Sequence, residues 1–218
     1  MHITDKTFCA EDFSQQDLQA AVFKGCHFYC CNFRSADLTD AEFVDCQFIE
    51  RGNVTGCDFG YAELKDCSFK NCDLSMTQFN GAQCFGIEFR SCNLKGADFA
   101  RASFANYVTQ KSYFCSAYIT QCNLSYANLE DQRIEKCDLY ENRWLGANLL
   151  GASLQGSDLS RGEFAEDIWG QFALEDCNLS HVDLTGLDPR RVNLKGVTIC
   201  EWQQEQLLAP FGLIIGVG

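Results

Sequence analysis

The chain has 218 residues, with 17 Lys and Arg against 30 Asp and Glu and a net charge of −13. That sign argues against direct binding of DNA or RNA, because proteins that grip phosphates present basic surfaces. No run of 18 apolar residues occurs, so no membrane-spanning helix is expected.

From the amino terminus onward a large apolar residue returns every fifth position. The series runs Phe8, Phe13, Leu18, Phe23, Phe28, Phe33, Leu38, Phe43 and Phe48, then Phe59 to Phe104, then Phe114 to Leu184, then Leu194 and Ile199. Fifteen of the 18 Phe sit in this phase. A helix repeats at 3.6 residues and a strand at 2, and a period of five fits neither. It fits a solenoid whose faces are each about five residues long. With the large residue at position i, a small one stands at i−2, such as Ala21, Cys26, Ala36 and Cys46. Position i−1 is polar, as at Asp37, Glu42, Asp58, Glu63, Asp73 and Asp98. Positions i and i−2 therefore point inward, large against small, and the rest point out.

Ten of the 15 Cys fall at i−2. Their phase reads as small apolar filler, interchangeable with the Ala found there, rather than as disulfide or zinc spacing. No metal or cofactor is expected. Reduced thiols, and no signal-peptide pattern in MHITDKTFCAED, make the cytoplasm the expected setting.

Two interruptions break the series. Between Phe48 and Phe59 the step is eleven where ten is expected. The stretch Ile49–Gly56 (IERGNVTG) reads as a short loop pushed out from one corner, offering Ile49, Glu50, Arg51, Asn53 and Thr55. After Phe104 the expected large position is Thr109, and Ala105–Ser116 (ANYVTQKSYFCS) departs from the pattern. Tyr107, Lys111, Tyr113 and Phe114 are its candidate contacts. Insertions in solenoids project and often bind, and aromatic residues supply contact energy.

After Ile199 the character changes. Glu201–Leu208 (EWQQEQLL) has helical propensity, Pro210 ends it, and an apolar tail follows. The expected organisation is a repeat body over 1–200 and a cap or dimerisation segment over 201–218. Trp202, Leu207, Leu208, Phe211, Leu213, Ile214 and Ile215 would form a two-fold dimer interface or simply close the open end.

An enzymatic role is not expected. The three His (His2, His27, His181) are scattered, no nucleophile–base pair is visible, and no glycine-rich phosphate loop follows a strand.

The period resembles that of the pentapeptide-repeat proteins, which implies an all-β, right-handed quadrilateral parallel β-helix with a short carboxyl-terminal α-helix. The stretches CFGIEFRSCNLKGADF (Cys84–Phe99), YFCSAYITQCNLSYANL (Tyr113–Leu129), CDLYENRWLGANLLGASLQGSDLSRGEF (Cys137–Phe164) and LDPRRVNLKGVTICEWQQEQLL (Leu187–Leu208) closely resemble the Qnr family of quinolone-resistance proteins. That resemblance implies a homodimer joined through the carboxyl-terminal segments. It implies binding to DNA gyrase and topoisomerase IV, protection of both from fluoroquinolones, and engagement of the enzyme by the two projecting loops. A structural scaffold, or a DNA-like gyrase inhibitor without drug protection, is the alternative. B-DNA carries one charge per ~1.7 Å, so a ~43 Å rod of duplex would carry about twice the charge of this chain.

Overall fold

The computed structural model describes residues 1–109 and 112–213. The backbone winds as a right-handed, four-sided parallel β-helix. His2 pairs with Val22 and Val22 with Glu42, in parallel, so one lap is twenty residues. The strands are β1 (His2–Thr4), β2 (Thr7–Cys9), β3 (Val22–Lys24), β4 (His27–Tyr29), β5 (Glu42–Val44), β6 (Ser68–Lys70), β7 (Ile87–Arg90), β8 (Ala105–Thr109), β9 (Ser112–Cys115) and β10 (Ala117–Thr120). One face carries six of them, in the order β1-β3-β5-β6-β7-β10. A second face begins with the pair β2–β4, and the rest of the helix is laddered by single bridges, such as Asp12↔Asn32↔Asp58↔Gln78↔Asp98.

A five-residue side explains the interior. Residues i and i−2 fall inside, and Phe23, Phe43, Phe69 and Phe89 stack in one column with centroids 4.9, 4.8 and 5.1 Å apart. Phe33, Phe59, Phe79 and Phe99 form a second column, at 4.6, 5.4 and 4.8 Å. Neighbouring columns meet edge-on, as Phe43 meets Phe48 at 70°. Each such pair adds about 0.5–1.5 kcal/mol beyond its buried area. Turning the corner requires a left-handed residue at i+2, and even Tyr61 (φ 58) and Met76 (φ 58) adopt it.

The corners come in two kinds. At most alanine corners the i−2 amide closes the turn onto the preceding large residue, as Ala36 N donates to Phe33 O at 3.0 Å and Ala62 N to Phe59 O at 3.0 Å. Strands β3, β4, β5, β6, β7 and β10 are each followed, two residues on, by a cysteine: Cys26, Cys31, Cys46, Cys72, Cys92 and Cys122. Each of these thiols lies within hydrogen-bonding reach of two carbonyls, one in its own lap and one in the lap before. For Cys92 they are Arg90 O at 3.3 Å and Phe69 O at 3.3 Å. For Cys122 they are Thr120 O at 3.2 Å and Phe89 O at 3.4 Å. Sulfur also accepts, since Cys92 N donates to Cys122 Sγ at 3.4 Å. Asn142 ends this column, accepting from Cys122 N at 2.8 Å and donating to the Ile119 and Leu139 carbonyls. Cysteine at these corners is therefore a hydrogen-bonding residue as well as a filler, and alanine is not its equivalent there.

The insertions also differ from expectation. Across the first, Phe33 stacks on Phe59 and Phe43 on Phe69, pairs 26 residues apart. The insertion is thus six residues long, and Phe59 is the next unit after Phe48, not the second. Across the second insertion Phe89 pairs with Ile119, 30 residues apart, so ten residues are added. That segment is not an irregular loop but the antiparallel hairpin β8–β9, with Ala105↔Cys115, Asn106↔Phe114 and Tyr107↔Tyr113 in register. Phe114, in phase by number, lies outside the core.

At the carboxyl end the helix is shorter than the sequence suggests. Glu201–Gln203 form a 3-10 turn, α1 spans Gln204–Leu208, and Ala209–Phe211 form a second 3-10 turn. Buried Gln203 donates from Nε2 to the carbonyls of Leu179 and Val182, both at 2.8 Å, and its Oε1 accepts from Cys200 N at 2.6 Å. Gln206 accepts from Leu184 N at 3.0 Å and donates to Asp183 Oδ1 at 2.7 Å. Two glutamines thus occupy backbone groups that a further lap would have paired. Among the described residues no helix is long and apolar enough to cross a membrane.

Candidate partner-binding surfaces

The two insertions leave opposite corners of the square. The first lies between the faces of Gln47 and Asp58, the second between those of Ser103 and Tyr118. Ten five-residue units separate them, or two and a half laps, about 12 Å along the axis at strand spacing.

In the first loop Glu50, Arg51, Asn53 and Thr55 are exposed and Ile49 is half-buried. Asn53 N donates to Glu50 O at 3.0 Å and its side chain to Glu50 Oε2 at 3.3 Å, so the loop is a tight turn. Val54 is 79% exposed. The chain re-enters at Gly56, where a Cβ would sit 2.7 Å from Ser75 O and 2.8 Å from Thr77 Oγ1, so only glycine fits.

The hairpin stands out as a fin. One of its faces rests on Phe85, whose ring meets Phe114 edge-on at 5.2 Å. The other face holds Tyr113, which donates to Glu135 Oε2 at 2.9 Å and lies under the Arg133 guanidinium at 5.2 Å. The Glu135 bond raises the Tyr113 phenol above its usual range. Tyr107 leans on Tyr113 at 5.5 Å. Tyr107, Val108 and Phe114 remain 55%, 68% and 51% exposed. Lys111 lies outside the described residues.

Sequence reasoning missed Val54, Val108, Phe85, Arg133 and Glu135. Phe85 was legible in principle. Three Phe lie off the five-residue phase, Phe85, Phe172 and Phe211, and each marks a departure from the repeat. Phe85 props the hairpin, Phe172 is buried in an irregular lap beside Phe164 and Trp169, and Phe211 lies under the Arg190 guanidinium in the carboxyl-terminal cap.

The cap leaves a second apolar surface. Trp202, Phe211 and Leu213 are exposed, and Leu207 and Leu208 half-buried. Trp202, Leu187, Ala209 and Pro210 line part of a concavity of about 530 Å³. Ile214 and Ile215 lie outside the described residues.

Charge is spread over the rod. Glu42 and Glu88, Asp73 and Glu163, Asp58 and Asp98, and Asp37 and Glu63 stand on four different faces. Most ladders interleave carboxylates with amides: Asn32 donates to Asp12 at 3.0 Å, Asn93 to Asp73 at 3.0 Å and Asn128 to Asp98 at 2.8 Å. Where Asp37 and Glu63 stack directly, burial and then the Asp37 charge push the Glu63 carboxyl up. The pattern does not concentrate charge into two phosphate-like strips. Among the described residues no group of three or more His, Cys, Asp or Glu is placed to hold a metal ion.

A rod of five-residue sides with two outgrowths and a helical cap defines a pentapeptide-repeat protein, and the family model for pentapeptide repeats matches residues 12–50 and 53–83 in eight copies. Over 142 residues the chain is 61% identical to a pentapeptide repeat protein of Vibrio parahaemolyticus. It is 48% identical over 150 residues to the quinolone resistance pentapeptide repeat protein QnrB96 of Scandinavium goeteborgense, and 52% over 104 residues to QnrB4 of Escherichia coli. These matches cover 65%, 69% and 48% of this chain, and 66%, 61% and 48% of the relatives' own lengths, between about half and two thirds. The solved structure of full-length QnrB1, a plasmid-mediated fluoroquinolone resistance protein, superimposes with a TM-score of 0.92 at 42% identity, covering 98% of this chain and all of that one. The chain belongs to the Qnr family of pentapeptide-repeat proteins.

Proposed function

We propose that this protein binds DNA gyrase and topoisomerase IV and protects them from fluoroquinolones. The observation that carries the reading is the end-to-end likeness to QnrB1, over 98% of this chain and all of that one. The geometry supports it. A stiff rod offers two outgrowths on opposite corners, and the hairpin concentrates exposed aromatic area at low entropic cost. Tyr107, Tyr113 and Phe114 of the hairpin and Lys111 of the same insertion, with Ile49, Glu50, Arg51, Asn53 and Thr55 of the first loop, contact the enzyme. Negative charge on all faces steers the rod toward a surface that normally holds DNA. Binding then disfavours the drug-trapped cleavage complex by shifting the enzyme's conformational population. The protein itself catalyses nothing in this reading, and its setting is the cytoplasm.

Two copies join through the carboxyl-terminal segments, covering Trp202, Leu207, Leu208, Phe211 and Leu213. Light scattering of Trp202→Asp should then give a monomer where the parent gives a dimer.

The test of function is gyrase supercoiling with and without ciprofloxacin. Rescue of supercoiling by the full chain, and its loss on deleting residues 105–116 without loss of the fold, is the expected result. No rescue at large excess favours a scaffold. Inhibition without drug favours a DNA-like inhibitor, which the even spread of charge argues against.

A further inference from the structure

Among the described residues the strands of the hairpin pair only with each other. In an antiparallel pair alternate N–H and C=O groups point away from the partner strand. Both outer edges of β8–β9 therefore present backbone donors and acceptors. Exposed edges are ordinarily blunted with charge or proline, since they template pairing with other chains. The solenoid does this at its amino-terminal lap, where Asp12 and Asp17 stand in the outermost ladder positions. The hairpin does not. In a chain of which 22% is charged, its nine described strand residues, ANYVT and SYFC, include no charge and no proline. Among its described residues the one blunting device is a bulge at Val108, which has no ladder partner.

The faces of the fin are partly taken, by Phe85 on one side and by Arg133 and Glu135 on the other. What stays open is the edge, flanked by exposed Tyr107, Val108 and Phe114. We propose that the hairpin recognises its partner by β-strand addition. An extended, uncharged segment of the topoisomerase pairs with the outer edge of the hairpin, and Tyr107, Val108 and Phe114 pack against its alternate side chains. This rests on the topoisomerase reading above and adds its mode of recognition. Main-chain hydrogen bonds would carry affinity, so side-chain changes that keep the strand are tolerated and loss of an edge N–H is not.

The experiment is hydrogen exchange on the full chain, free and with purified DNA gyrase, following amides 104–116, alongside surface plasmon resonance of Val108→Pro and Val108→Thr. Val108 has no ladder partner, so proline there spares the register on either side while removing one N–H of the exposed strand. The expected result is slowed exchange of the hairpin amides in the complex. Val108→Pro should weaken binding about ten-fold and Val108→Thr by less than about three-fold, with unchanged melting for both. A complex in which the hairpin amides exchange as in the free protein overturns strand addition and leaves the topoisomerase reading standing. Failure to bind gyrase and topoisomerase IV at all overturns both. Protection in the free protein that vanishes on dilution means a second copy occupies the edge, which also overturns the proposal.

Discussion

Replacing Cys122 by alanine and by serine separates two accounts of the cysteine corners. If cysteine only fills space, alanine, which stands at the same phase elsewhere, should be the milder change, and serine should be worse for burying a hydroxyl. The structure points the other way. Removing Sγ takes one buried methylene-sized group out of contact, about 1 kcal/mol. It also leaves the buried Cys92 N–H without the acceptor it has at 3.4 Å, which costs about 1–3 kcal/mol. Alanine should therefore cost about 2–4 kcal/mol. Serine keeps a donor and an acceptor in place. Ser157 already does this at another corner, accepting from Cys137 N at 3.0 Å and donating to Ile134 O at 2.8 Å. Its cost should stay near 1 kcal/mol, within the range of one imperfect hydrogen bond. Urea unfolding of the two variants, compared by transition midpoint, is the assay. An alanine variant as stable as the serine variant, or more stable, would refute the donor–acceptor account.

Phe69→Ala should cost about 3–5 kcal/mol, since its ring is fully buried between Phe43 and Phe89, and the same unfolding assay checks it. In a thiol titration of the native protein, exposed Cys9 and Cys30 should react first and half-buried Cys115 and Cys200 next. Buried Cys137 and Cys177 should wait for unfolding, because burial pushes them up to about 12 and about 11 and keeps them protonated. Asp188, hydrogen-bonded to the Arg190 side chain and amide, is held down at about 2. A depressed carboxyl stabilises above its unfolded value near 4 and loses that contribution as pH falls toward 2. The melting-temperature gap between the parent and Asp188→Asn should therefore be open at pH 6 and close toward pH 2.

The fold was legible because its signal recurs at every lap: one large residue at i and one small at i−2 fix which way each side chain points. What escaped was whatever happens once. The length of each insertion could not be read from phase alone. A six-residue insertion moves the series from Phe48 to Phe59 by eleven, which looks like one residue too many in two units. A ten-residue insertion is a multiple of the period, so Phe114 falls in phase by number although it belongs to the hairpin. The hairpin itself had a readable cue in ANYVT and SYFC, two short runs rich in aromatic and β-branched residues, but the five-residue rhythm masked it. Corner type was hidden for a different reason. Cysteine and alanine are both small, and only coordinates reveal that the thiol has two carbonyls within reach.

The two insertions also bear on how such a rod acquires a partner. Across the first, Phe43 stacks on Phe69 at 4.8 Å, as close as Phe23 on Phe43 at 4.9 Å with no insertion between them. Across the second, Ile87–Arg90 pairs in unbroken register with Ala117–Thr120. The stack closes over both sites as though nothing had been added. Nearest-neighbour stacking is what stabilises a solenoid, so an outgrowth that leaves the stack intact costs little more than its own loop-closure entropy, which grows only slowly with length. Stability and recognition are thereby assigned to different residues. The repeat can be held to a strict pattern while Val54 and the Tyr107–Phe114 fin vary toward a partner. Substitutions that impair binding without lowering the unfolding midpoint should cluster in 49–56 and 105–116, and those that lower the midpoint at positions i and i−2.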